Sequence, residues 1–258
     1  MSLVHSLKKY VAKGIRQLPA PLHRLPEEWK QSYLRSAVKS QYTDIQENTA
    51  RDPKVFGIGL SKTGTTSLNS ALKILGYKSA HWTLEGQRVL SWPEFFYLEA
   101  AVDTPCAVQF ESLYYTFENS KFIYTVRDVD EWKRSIQNHF GMESPREFRE
   151  LWKENEFWEG NHGWRWYNSV RWIQVHECLY ARHDTWEDAY YEFDRRVRSF
   201  FSEKPDDRII VMNIPEGDAW EPLCQHLGHS IPETSFPHAG KSSNHPEGIS
   251  KVDQYKGT

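Results

Sequence analysis

Apolar and polar positions follow one another in two distinct rhythms along this chain. Residues 54–60, Lys-Val-Phe-Gly-Ile-Gly-Leu, form a continuous apolar run ending in glycine, which predicts a strand buried on both faces. Over 67–75 the period lengthens: Leu68, Ala71, Leu72 and Leu75 share one helical face, and Gly76 stands where a left-handed cap is needed. Short strands are expected at 78–82, 100–102, 121–126 and 208–212, with helices between them. This alternation predicts an α/β domain with a central parallel sheet of about five strands flanked by helices. Residues 140–200 read as helical and are rich in Trp and Tyr.

The first 50 residues form a separate extension in this reading. Leu3, Leu7, Val11 and Ile15 recur every four positions, with Lys8, Lys9, Lys13 and Arg16 on other faces, which predicts a basic amphipathic helix ending near Pro19. A second helix is expected over 27–40. The basic helix has two readings: peripheral contact with anionic lipid, or packing on its own domain or a partner. Residues 51–240 then hold the main domain, and 241–258 a tail.

Charge and cysteine content narrow the classes. Residues 1–40 carry eight Lys and Arg against two Glu, so the chain's net −3 leaves −9 for the rest. An acidic body argues against nonspecific nucleic-acid binding, and any anion site in it must be local. Three well-separated cysteines, Cys106, Cys178 and Cys224, suit a reducing compartment. No apolar run approaches the length of a membrane span and no signal peptide is legible, so a cytoplasmic location is expected.

The chemistry concentrates first at Gly59-Leu60-Ser61-Lys62-Thr63-Gly64-Thr65-Thr66-Ser67, between the first strand and its helix. Small residues there let backbone N–H groups converge on an anion at a helix N-terminus, the arrangement of a P-loop-type, three-layer domain. The nucleotide-hydrolysing version would place a lysine where Thr65 stands, and no acidic metal ligand closes a strand. Thr65 and Thr66 can donate to phosphate oxygens or cap the helix. A second candidate anion site lies at Arg127, at the carboxyl end of the 121–126 strand, with Ser135 two turns into the next helix. Asp128 and Glu131 have capping-box spacing at that helix start.

Together these segments resemble the sulfotransferases that use 3′-phosphoadenosine 5′-phosphosulfate (PAPS). The family's Lys-x-Gly-Thr-Thr is matched by Lys62-Thr63-Gly64-Thr65-Thr66, and its Arg with a Ser eight positions later by Arg127 and Ser135. Asp103-Thr104-Pro105, Trp220-Glu221-Pro222-Leu223-Cys224 and Phe236-Pro237-His238 resemble a compact branch of that family. The resemblance implies that Ser61 to Ser67, with Lys62, Thr65 and Thr66 foremost, hold the 5′-phosphosulfate. It implies that Arg127 and Ser135 hold the 3′-phosphate and that no metal is needed. Two departures stand out. Ser67 replaces a tryptophan that stacks on adenine in better-known members, and no Arg-Lys-Gly segment follows, which leaves Lys241 as the stand-in third anchor.

Sulfuryl transfer needs a cation at the leaving oxygen, for which Lys62 is the candidate, and a base at the acceptor hydroxyl. The resemblance implies Asp103 as base; His81 competes because imidazole is the ordinary neutral-pH base, and Glu111 is a weaker alternative. Asp103 also reads as a turn residue before Pro105. Trp152, Phe157, Trp158, Trp164, Trp166, Tyr167 and Trp172 read either as an acceptor pocket or as helix packing, with 160–163 as a candidate lid. The expected activity is transfer to a small-molecule or glycan hydroxyl. Its rivals are a small-molecule kinase or other nucleotide enzyme, and a non-catalytic binding protein.

Overall fold

The structure is a computed structural model that describes residues 53–84, 88–153 and 164–238, the side chains of 88 and 164–169 excepted. The expected N-terminal helices, the 160–163 lid, Phe157, Trp158 and Lys241 lie outside the described residues. At Trp164, Trp166 and Tyr167 only the backbone is described.

Seven strands build one sheet: β1 (Val55–Gly57), β2 (Ser79–His81), β3 (Thr83–Leu84), β4 (Arg88–Val89), β5 (Ala100–Val102), β6 (Lys121–Thr125) and β7 (Ile209–Met212). Their order is β4-β3-β2-β5-β1-β6-β7. The five from β2 to β7 are parallel, as expected, while β3 and β4 add an antiparallel edge the periodicity did not suggest. The strands alternate their side chains between two cores. Phe56, Ala101, Phe122 and Tyr124 face a large aromatic layer, and Val55, Ala100, Val102, Ile123 and Met212 face the opposite one.

Helices cover both faces. The second core is closed by α1 (Thr65–Ile74), through Leu68, Ala71 and Leu72, and by α9 (Trp220–Leu227). Between β4 and β6 lie α2 (Trp92–Tyr97), α3 (Thr104–Ala107) and α4 (Phe110–Thr116). The aromatic layer comes chiefly from α5 (Val129–Phe140), α6 (Glu147–Leu151), α7 (Trp164–His176) with a π-helical turn at Glu177–Ala181, and α8 (Trp186–Phe201). Trp172 is buried and Trp152 packs against the same core, so these two serve helix packing. No helix among the described residues is long and apolar enough to cross a membrane.

Register decides where chemistry can gather. Gly57 lies opposite Val102 and Ile123, and His81 opposite Val102, so the chain leaves β1, β2, β5 and β6 at one edge of the sheet. In parallel sheets the carboxyl ends of the strands are where ligands are met. The opposite end of β1 is tied down by Lys54, whose buried ammonium donates to the carbonyls of Phe96 (3.0 Å) and Leu98 (2.8 Å).

Candidate functional site

Between β1 and α1 the chain makes a compact turn whose shape its residues dictate. A Cβ on Gly59 would sit 1.8 Å from Thr125 Oγ1 and 2.5 Å from Thr63 Oγ1, so only glycine lets the turn lie against β6. Gly64 has φ 99°, a left-handed conformation that glycine adopts freely, and it places α1's first residue at Thr65. The helix therefore starts two residues earlier than the apolar period suggested. It has no side-chain cap, so the amides of its first turn find no acceptor within the helix. Lys62, half-buried, also has positive φ, 71°.

The loop residues divide by where they face. Thr63 turns inward: its hydroxyl donates to the Leu60 carbonyl and meets Thr125 Oγ1, both at 2.7 Å. Ser61 is held at its backbone on both sides, since its N–H donates to Tyr180 Oη (3.0 Å) and its carbonyl accepts from Trp132 Nε1 (2.8 Å). Ser67 is buried in α1. Thr65 and Thr66 face the end of β2 instead of capping their helix.

There they meet the two acid–base candidates. His81 Nε2 lies 3.1 Å from Thr65 Oγ1, 3.3 Å from Thr66 Oγ1 and 3.4 Å from Asp103 Oδ2. Thr65 also reaches Asp103 Oδ1 at 3.4 Å. The Asp103 side chain is 7% exposed and that of His81 25%. Asp103 occupies φ 88°, ψ −173°, a region where essentially only glycine is unstrained, at a cost of about 1–3 kcal/mol. It is anchored there by its N–H to the Gly57 carbonyl and by its own carbonyl to the N–H groups of Cys106 and Ala107. Next to it, the buried hydroxyl of Thr104 has no partner. Burial, aided by Asp103's negative charge, pushes the Cys106 thiol well above its ordinary pKa, so it is no thiolate nucleophile. Glu111 stands apart from this cluster, taken up by Arg196.

Arg127 approaches the loop from the end of β6. Its Nη1 lies 3.5 Å from the Lys62 carbonyl, at the limit of a hydrogen bond, while Nη2 pairs with Glu131 Oε2 at 3.3 Å. Glu131 thus serves Arg127, and the Asp128 carboxylate alone caps α5, accepting from the N–H groups of Asp130 and Glu131. The buried Nε of Arg127 has no partner. Tyr190 supplies what the sheet no longer can at this position: its hydroxyl accepts from the Arg127 N–H (3.2 Å) and donates to the Arg127 carbonyl (2.6 Å). Ser135 is half-buried on α5, one helical turn beyond Glu131. An open cleft of about 610 Å³ adjoins Arg127, lined also by Tyr190, Asp194, Arg198 and Asn213, whose buried Oδ1 is likewise unpartnered. No group of three or more potential metal ligands occurs among the described residues.

Tyr180, Tyr190 and Trp132 belong to none of the motifs that mark the site in the sequence. Trp132 lies one turn of α5 beyond Asp128, close enough to suspect from spacing. The tyrosines contact segments 119 and 63 residues away, for which no local signal exists.

Fold and site define an α/β protein with a glycine-built turn after its central strand and converging polar side chains at the strand ends. The description "Sulfotransferase domain" belongs to the family that matches residues 54–245, and the chain is a member of that family. It is also similar to a protein of Aspergillus versicolor described as "Ava biosynthesis cluster protein M". The two are 25% identical over 215 residues, which span 72% of this chain and 80% of the relative.

Proposed function

We propose that the chain transfers a sulfuryl group from PAPS to the hydroxyl of a small-molecule or glycan acceptor. The observation that carries this reading is the approach of the Arg127 guanidinium to the backbone carbonyl of Lys62, which sets the end of β6 against the turn after β1. Two phosphoryl-type groups on one nucleotide would need that pairing. The unpartnered, buried Nε of Arg127 fits an anion there, since a guanidinium donor left without an acceptor is costly. The first turn of α1, which no side chain caps, fits a second anion at the loop.

In this reading Lys62 and the first-turn amides of α1 hold the 5′ end of the donor, and Arg127 with Ser135 holds the 3′ end. When bound, the donor supplies a sulfonate whose bond to the bridging oxygen breaks in a loose in-line displacement. Lys62 carries the positive charge that offsets the negative charge left on the departing oxygen. Thr65 and Thr66 orient hydroxyls toward the same space. Asp103 takes the proton of the acceptor hydroxyl. Its strained backbone supports that role, because such strain persists mainly where the surroundings enforce it and clusters at functional sites.

A second reading exchanges the roles of the pair. His81 is the more exposed, and its Nε2 faces the same hydroxyls, so the imidazole would take the proton and Asp103 would steady the imidazolium. Transfer of label from PAPS to a panel of hydroxyl acceptors tests the activity, with variants separating the two roles. Asp103→Asn is expected to lower turnover by about 10²–10⁴-fold while His81→Gln loses less. The reverse order assigns the base to His81, and absence of transfer with every acceptor class removes the proposal.

A further inference from the structure

Three aromatic side chains from the helical layer reach both anion-facing segments, and one of them, Trp132, packs against the other two. Tyr180, on the π-helical turn, accepts from the Ser61 N–H. Trp132, on α5, donates to the Ser61 carbonyl. Tyr190, on α8, closes both backbone groups of Arg127. The Trp132 ring packs 6.4 Å from that of Tyr180 and 5.0 Å from that of Tyr190, centroid to centroid. Trp186 closes the group from behind, 6.2 Å from Trp132 and 5.8 Å from Tyr180. Trp132 and Tyr180 are fully buried and Tyr190 nearly so.

Polar tips of three large rings are spent on backbone groups of just two residues, the one before Lys62 and Arg127 itself. Interiors packed this closely transmit displacement instead of absorbing it. Burial raises both phenol pKa values, so Tyr180 and Tyr190 stay protonated across the neutral range. A π-helical turn brings Tyr180 into this register, and such turns recur at functional sites.

We propose that Tyr180, Trp132 and Tyr190 form a rigid bracket that fixes the span between the Lys62 turn and Arg127, and so sets a preference for a nucleotide carrying a phosphoryl group at each end. The inference rests on the donor reading above and goes beyond it. All three are positioning residues: they act through the backbone of Ser61 and Arg127. A preorganised span lets the second phosphoryl group bind with its ordering cost already met, so the benefit appears as a ratio of affinities.

The test is calorimetry of the full chain with adenosine 3′,5′-bisphosphate and with adenosine 5′-monophosphate, which lacks the 3′ group. The natural chain is expected to prefer the bisphosphate by about 100-fold or more, each tenfold step corresponding to about 1.4 kcal/mol. Tyr190→Phe and Tyr180→Phe keep the rings and remove only the hydroxyls. Each is expected to cut that preference by about tenfold, with monophosphate affinity within about twofold of the natural chain. Tyr77→Phe is the control, because that hydroxyl meets His229 Nε2 at 3.0 Å and neither anion segment. It should leave the ratio unchanged. An unaltered ratio in both bracket variants overturns the bracket, as does an equal fall in the Tyr77 variant. A natural chain that does not distinguish the two nucleotides overturns the donor reading itself.

Discussion

The imidazole Nε2 of His81 stands 3.4 Å from the Asp103 carboxylate, with the Thr65 hydroxyl within reach of both. The contact exists because β2 and β5 are parallel neighbours in a register that sets His81 opposite Val102, one residue before Asp103. The aspartate is then turned out of the strand through a backbone conformation it does not favour. Two local choices, a histidine ending one short strand and an aspartate following another, become one polar cluster only through the sheet.

The strain at Asp103 makes a stability prediction that separates backbone from side chain. Asp103→Asn keeps a side chain at φ 88°, whereas Asp103→Gly relieves it. The glycine variant is expected to be more stable than the asparagine variant by about 1–3 kcal/mol in urea unfolding, although turnover should fall by about 10²-fold or more in both. Equal stability would mean that the conformation costs nothing.

Lys54 predicts a loss at the far end of the same strand. Its ammonium satisfies the carbonyls of Phe96 and Leu98 and lies 5.2 Å from the Phe117 ring centroid. Lys54→Met retains the apolar stem and leaves those carbonyls without this donor. Chemical denaturation should show a loss of about 2 kcal/mol, within the usual range for an unsatisfied buried polar group. Nucleotide affinity should be untouched, because the loop is at the other end of β1.

His226 gives the chain an acid-side weakness. Burial, and then the charge of Lys121, lower its pKa to about 4 in the folded chain, against about 6.5 when unfolded. Between these values the unfolded chain binds a proton that the folded chain does not, so stability falls as pH drops through that window. Above about pH 6.5 both states are neutral and the effect vanishes. His226→Gln should therefore lose less melting temperature between pH 7.5 and pH 5 than the natural chain. An identical loss in both would place the acid sensitivity elsewhere.

How far the sequence revealed this varies with the range of the interactions involved. The β1–turn–α1 unit was legible because glycine spacing and helical period act over a few residues. Even there the helix start moved to Thr65, since a left-handed Gly64 opens the helix before its first apolar position. The β3–β4 edge was not legible: each strand has two residues, too few for any period, and pairing alone defines them. Asp103 and His81 were both identified as candidates, but their meeting depends on strand order. The bracket aromatics were hidden in a Trp- and Tyr-rich stretch where core packing and site contacts have the same spacing.

Isothermal titration of the chain with adenosine 3′,5′-bisphosphate, set against ATP with Mg²⁺, tests the central claim most directly. The account predicts that the bisphosphate binds without metal and that Lys62→Ala and Arg127→Ala each weaken it by about tenfold or more while the chain stays folded. Tight binding of ATP–Mg²⁺ with no heat from the bisphosphate would contradict it.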